Sequence, residues 1–256
     1  MRSLKQMLSS IKKIGERTCD ECGSVVPIYK RGGEEVSHCL NCENIKLKSK
    51  MEEYRSTREK RAINRLVEKY ESVPYKKRVT FDEYVPSTQS QHNAQKLAMS
   101  FPNLEQTTLF MQGEPGVGKT HLSYCISDYW KEQGRTSFFI DVPNLMNTIK
   151  SSYNRNSYFS EEELMRLIND VDLLVLDDIG AEYAKDNDGL ENWVAEKLIM
   201  VINSRVGKRN VYTTNYDGKT LQKKYGMLSG RIISRMMQDA KILKIDGPDH
   251  RLKGLV

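Results

Sequence analysis

The octapeptide Gly113-Glu-Pro-Gly-Val-Gly118-Lys119-Thr120 constrains this chain more than any other feature. It fits the pattern G-x-x-x-x-G-K-[ST], follows a strand expected over Thr108–Gln112, and opens a helix expected from about Lys119 to Gln133, where Gly134 ends it. A glycine-rich turn between a buried strand and a helix lets backbone N–H groups and the helix N-terminus face a phosphate. The segment therefore predicts a nucleoside triphosphate site. It is built from Gly113, Glu114, Pro115, Gly116, Val117 and Gly118, with Lys119, Thr120 and His121 at the helix start. Lys119 is suited to pair with the β- and γ-phosphates, and the Thr120 hydroxyl to help ligate Mg²⁺.

The rest of the chain supports that setting. Thr136–Asp141 reads as a strand, Pro143–Asn169 as two helices, Asp172–Leu176 as an apolar strand, about Gly189–Arg205 as a helix and Asn210–Thr214 as a strand. The second of the paired helices opens at Ser160 with Glu163 three residues on, a capping-box pattern. Strands alternating with helices predict an α/β fold, a parallel sheet covered on both faces. Leu173-Leu-Val-Leu-Asp177-Asp178 then delivers two acids to the carboxyl edge of a buried strand. Asp177 there would hold the Mg²⁺ shell, and Asp178 would orient and deprotonate an attacking water. Hydrolysis follows more readily than binding alone.

Upstream, Cys19-x2-Cys22-x16-Cys39-x2-Cys42 has the spacing of a four-thiolate zinc site. Four protein ligands complete a tetrahedron and leave no open position, so this Zn²⁺ would be structural. His38 reads as a bystander, and Cys125, on the helix after the glycine-rich turn, as buried and inert. Residues 1–80 carry 19 Lys and Arg against 11 Asp and Glu, whereas 81–256 carry 21 against 23. That basic skew fits a solvated helix face as well as contact with nucleic acid or an acidic protein surface.

Three zones are expected: a zinc module over 1–42, a charged helical linker over 43–79 and an ATPase domain over 80–256. The zinc module opens with an amphipathic stretch (Leu4, Met7, Leu8, Ile11, Ile14), and within the linker 43–72 reads as one helix with Leu47, Met51, Tyr54, Ala62, Leu66 and Tyr70 at helical spacing. A length of 256 residues suits one large domain plus a small one. No apolar run approaches a membrane span and no secretory signal is visible, so a cytoplasmic protein without a membrane partner is expected.

The residues from about 80 onward resemble the AAA+ ATPases that load the replicative helicase, the DnaC/DnaI type. The carriers are Phe81-Asp-Glu-Tyr84, GEPGVGKTHL at 113–122, VDLLVLDDIGAE at 171–182, Thr214-Asn215, Ser229-Gly-Arg231-Ile-Ile-Ser-Arg235-Met236 and Asp249-His-Arg251. By that resemblance the fold is a AAA+ domain with an abbreviated lid. Asn215 corresponds to sensor 1, Arg235 to the arginine finger reaching a neighbouring subunit's ATP, Arg231 to its companion and Arg251 to sensor 2. Arginines in such places neutralise charge on the transferring phosphoryl group. The resemblance implies self-assembly through the ATPase domain, a replicative helicase as partner gripped by the N-terminal region, and single-stranded DNA bound by the paired helices near 143–169. Lys150, Tyr153 and Arg155 are the candidate DNA contacts, cations for phosphate and an aromatic for stacking, although an ordinary polar helix surface explains them equally well.

The pattern departs from the family at Asp178, where the usual second acid is Glu; the shorter arm implies weak or partner-dependent turnover. Only 41 residues follow Asn215, too few for a full helical lid. Two other functions fit the same motifs. One is a transposition helper ATPase of the IstB kind, which shares the ATPase domain. The other is a nucleic-acid-binding zinc protein whose ATP site is a non-hydrolysing switch.

Overall fold

A computed structural model describes residues 11–31, 33–182 and 188–252. The chain divides into two compact units, Met1–Arg61 and Ala62–Val256. In the first, strands β1 (Ile11–Thr18), β2 (Val25–Arg31) and β3 (Glu34–Val36) form an antiparallel sheet in that order. Ile11 and Ile14 therefore lie on a strand rather than on the amphipathic stretch expected there, while Leu4, Met7 and Leu8 fall outside the described residues. Within β1 the register against β2 shifts between Lys13 and Gly15. Helix α1 (Leu40–Tyr70) follows, starting early enough to carry Cys42, and the division between units falls within it.

The second unit is built on five parallel strands. These are β4 (Thr108–Gly113), β5 (Ser137–Asp141), β6 (Leu173–Ile179), β7 (Arg209–Thr214) and β8 (Ala240–Ile245), in the order β5-β6-β7-β4-β8. Side chains alternate between faces. Phe110, Phe138, Ile140, Leu174, Leu176 and Tyr212 enter one apolar cluster, and Leu109, Met111, Phe139, Leu173, Val175 and Val211 enter the other. Both faces are thus buried, which is why the central strands read as unbroken apolar runs.

Helices α3 (Lys119–Glu132), α4 (Val142–Ser152), α5 (Glu161–Asp170) and α6 (Asp188–Ser204) stand where the sequence predicts them. Asp141 caps α4 by accepting from the Asn144 amide at 2.9 Å, and Ser160 caps α5 by accepting from that of Glu163 at 3.4 Å. Between α1 and β4 lies a further helix, α2 (Gln89–Ser100), capped at Thr88 and Gln91. Two short helices, α7 (Gly218–Tyr225) and α8 (Ser229–Met236), precede β8. The final turns of α1 also join the second unit, with Val67 and Tyr70 in one of its apolar clusters and Ile63 and Leu66 packed against it.

The largest polar group sealed inside this unit is Arg205, which is fully buried. Its guanidinium donates to the carbonyls of Ile168, Asn169, Val171, Asp172 and Arg209 and to Asn210 Oδ1, binding the turn after α6 to the start of β6 and β7. Burial pulls its pKa down to about 10, still charged at neutral pH. Among the described residues, no helix is long and apolar enough to cross a membrane.

Candidate nucleotide site and cysteine cluster

The turn from β4 to α3 is made by two glycines in left-handed backbone, Gly116 at φ 79° and Gly118 at φ 95°. Close approach also demands glycine at both. A Cβ on Gly116 would overlap the Asp249 carboxylate, and one on Gly118 would overlap the Tyr84 ring. Tyr84 is fixed in that position by donating to the Val117 carbonyl at 2.9 Å. Gly113 meets a different neighbour, the Ile245 carbonyl on β8.

Lys119 is buried, and its ammonium donates to the carbonyls of Gly113 and Glu114, each at 2.8 Å. Burial lowers its pKa, while Asp178 and Asp177 oppose that shift. Thr120 Oγ1 donates to Asp177 Oδ2 at 2.8 Å, and Thr213 Oγ1 donates to Asp177 Oδ1 at 2.6 Å. Burial pushes the Asp177 carboxyl up to about 6, against the pull of those two hydroxyls. A hydroxyl and a carboxylate side by side at a strand's carboxyl end are hard oxygen donors of the kind Mg²⁺ takes, so Thr120 and Asp177 fit that ion.

At Asp178 the backbone turns left-handed, φ 54°, and the pairing of β6 with β7 slips between Leu176 and Ile179. A non-glycine residue held there costs on the order of 1–3 kcal/mol. The Asp178 amide meets Thr213 Oγ1 at 2.9 Å, so one threonine holds both acids. The bulge turns Asp178 into a cavity of about 360 Å³ that Gly116, Lys119, Thr120, His121, Asn215 and Arg251 also line. A second cavity, about 460 Å³, shares Thr120, Asp178 and Arg251 with the first and adds Asp177.

The loop, the two acids, Asn215 and Arg251 thus converge within one chain. His121 lines the cavity too, but its Nε2 is engaged by the Thr80 carbonyl at 2.8 Å. Arg231 and Arg235 lie elsewhere, exposed on α8, where Arg235 donates to Gln238 Oε1 at 3.0 Å. Lys150, Tyr153 and Arg155 lie at the end of α4 and just beyond it. The fold joins two of them to α6: the Lys150 ammonium stands 5.2 Å from the Trp193 ring, and Trp193 Nε1 donates to the Tyr153 hydroxyl at 3.3 Å.

Several residues around the site had no role assigned from the sequence. Thr213 had a signal, since it precedes Thr214-Asn215. Asp249 had a weaker one; its Oδ1 accepts from the Arg251 amide at 2.8 Å, and the neighbouring His250 amide donates to the Gly116 carbonyl at 3.1 Å, so the C-terminal segment is tied to the turn. Glu182 is buried four residues beyond Asp178, accepting from the Tyr225 hydroxyl at 2.7 Å and the Gly180 amide at 3.0 Å. Burial raises its pKa, which those donors partly offset.

In the first unit, the sulfurs of Cys19, Cys22, Cys39 and Cys42 all lie within 4.8 Å of one another, and none is in a disulfide. Cys19 and Cys42 are 3.6 Å apart, Cys22 and Cys39 3.4 Å. Zinc–sulfur bonds of about 2.3 Å set tetrahedral sulfurs roughly 3.8 Å apart, so the cluster fits a zinc ion after small shifts of the sulfurs. The β1–β2 turn supplies one pair and the start of α1 the other. His38 is outside the cluster and faces Glu43 at 3.8 Å. Cys125 is buried, its thiol pushed up to about 12 by burial.

Comparison with known proteins places this geometry. The replicative helicase loader DnaC of Escherichia coli K12 is 28% identical over 163 residues, covering 62% of this chain and 64% of that protein. The chain therefore spans a little under two thirds of that relative's length. The insertion sequence IS232 putative ATP-binding protein of Bacillus thuringiensis subsp. berliner is 27% identical over 201 residues, 77% of this chain and 76% of its own. A crystal structure of the DnaC helicase loader shares the fold at a TM-score of 0.54 and 24% identity, covering 65% of this chain and 96% of that one. With that fold in common and the model of the family described as IstB-like ATP binding protein matched over residues 34–255, this chain belongs to that family.

Proposed function

We propose that this protein is an ATP-driven loader of a replicative helicase onto single-stranded DNA. The observation that carries the reading is the convergence of Lys119, Thr120, Asp177, Asp178, Asn215 and Arg251 on one site, in a chain whose relatives include proteins named replicative helicase loader. Lys119 neutralises the β- and γ-phosphates of bound ATP. Thr120 and Asp177 would hold Mg²⁺, which would supply charge neutralisation at the phosphates. Asp178 orients the attacking water with help from Asn215, and Arg251 closes from the C-terminal segment. Arg235, with Arg231 beside it, serves the ATP of the next subunit, which accords with their exposure on α8. The cysteine module, holding structural zinc, grips the helicase. Lys150, Tyr153 and Arg155 contact the DNA strand, with Trp193 adding a second ring to that patch.

An active site shared between chains makes a sharp test. A Lys119→Ala chain lacks a working site but keeps its finger; an Arg235→Ala chain has the reverse defect. Each alone should be nearly inactive, since an arginine supplied in trans is worth roughly 10³–10⁵ in rate in other phosphoryl-transfer systems. Mixed, they should regain part of the ATPase rate, increasingly with protein concentration. No recovery from mutants that co-assemble, under conditions where the parent is active, would remove Arg235 from the neighbour's site.

A helper ATPase of a mobile element is the second reading. It is favoured by the IS232 relative, which aligns over a larger share of the chain than the E. coli loader does. Parallel pull-downs against a hexameric helicase and a transposase separate the two.

A further inference from the structure

Between the end of α1 and the first residues named in the nucleotide site runs Glu71-Ser-Val-Pro-Tyr-Lys-Lys-Arg78, a stretch the motifs leave without a task. It is held to the ATPase unit along its length. Sheet edge β5 is covered by Ser72, whose amide donates to the Phe139 carbonyl at 3.1 Å and whose hydroxyl donates to Asp141 Oδ2 at 2.7 Å. Asp141 stands opposite Asp177 in the β5–β6 register. Glu71 pairs with Lys131 at 2.6 Å, and Arg78 pairs with Asp128 at 2.6 Å and with Glu132, so both ends grip the same helix, α3.

Between these anchors Tyr75 packs edge-on against His121 and Tyr124, with ring centroids 5.9 and 5.5 Å away. It lines both cavities of the site, as do Thr120, Asp178 and Arg251. Those three flank the places proposed for the metal and the attacked phosphate. Burial, and then the charge of Asp177, push the Tyr75 phenol up to about 12, so at neutral pH it is a donor and carries no charge to repel a phosphate.

We propose that Tyr75 is a nucleotide-contacting residue whose hydroxyl donates to a terminal phosphate oxygen, and that the strap carrying it reports the triphosphate state to the end of helix α1. This rests on the ATP-site reading and extends it, because a wall of the site then comes from the segment leading directly out of the helix that bears Cys42. Loss of ATP's terminal phosphate removes the acceptor and frees the strap at its midpoint.

The test uses the full chain with Mg²⁺ and either ATPγS or ADP, read by displacement of a fluorescent nucleotide. Tyr75→Phe keeps the ring against His121 and Tyr124 and should leave the melting temperature unchanged. It should weaken ATPγS by about tenfold, the size expected for one hydrogen bond to a charged group, and ADP by less than about twofold. In the parent, ATPγS should slow tryptic cleavage after the exposed Lys76 and Lys77 while ADP should not. Unchanged affinities in Tyr75→Phe, equal losses for both nucleotides, or equal cleavage of the parent with both would overturn the proposal while leaving the ATP site standing. A parent that binds neither nucleotide, like the Lys119→Ala control, would overturn the ATP reading and this one with it.

Discussion

Up to Arg61, the apolar side chains that the described residues bury are Cys19 and Val26, whereas from Ala62 onward two apolar clusters fill both faces of a five-stranded sheet. The described residues of the first unit bury little apolar area, and four sulfurs gather among them. The second has a core large enough to keep charged groups inside: Arg205, Asp177 and Glu182 are all buried. One region thus gathers four metal-ligating sulfurs in place of an apolar core, and the other keeps charged groups inside a large apolar core.

Removing the metal is the strongest way to break that comparison. A high-affinity chelator, or Cys19→Ser or Cys39→Ser, should unfold β1–β3 and the start of α1 outright, because binding energy in such a module is folding energy. Hydrogen exchange should show protection lost over 11–42 and retained over the β4–β8 sheet. Metal analysis should find about one zinc per chain before treatment. Protected strands in zinc-free protein would erase the distinction.

Arg205→Ala tests the other side. It leaves buried carbonyls of the α6–β7 turn and of the chain before β6 without a donor, and should cost on the order of 3–5 kcal/mol in urea unfolding of the second unit. Arg205→Lys should recover little, since one ammonium cannot serve carbonyls spread around a guanidinium fork. Zinc content should not change in either variant.

A smaller effect should come from pH. An acid held above its unfolded pKa costs stability once ionised; the cost is complete above the folded pKa and fades as pH falls toward the ordinary value, 4.5 for Glu182. Glu182→Gln cannot ionise. The melting temperature of the variant relative to the parent should therefore be more favourable at pH 8 than at pH 5. A difference independent of pH would mean that the Tyr225 and Gly180 bonds fully offset burial.

The sequence was most legible where chemistry is local to the chain. Gly113–Thr120, the Leu173–Asp178 run and the two Cys-x2-Cys knuckles announce themselves because loop closure, a strand end and a thiolate pair each need particular residues a few positions apart. β8 went unread for the opposite reason: AKILKI is an edge strand, half exposed, with lysines between its apolar residues. Helix α2 carries its burial on Gln91, Ala94 and Ala98, too weak a stripe to stand out. Helices α7 and α8 are eight residues each, about two turns, and periodicity has little to act on.

What the sequence determined by itself was the order of the strands and helices between Thr108 and Thr214, the turn that can receive phosphate, the acids at a strand's end and the four-sulfur set. Each is written in consecutive residues or fixed short spacings. Only the tertiary structure decided that Thr213 holds Asp177 and Asp178 together, that Asp249 rests on Gly116, that Arg205 ties the α6–β7 turn to β6, and that Tyr75 looks into the site from a segment outside every motif. These meetings join residues from 34 to more than 100 positions apart, and nothing in the chain between them encodes the contact. It arises because a parallel sheet gathers its carboxyl ends along one edge, where the strap and the packed helices meet the site, and its amino ends along the other, where Arg205 lies.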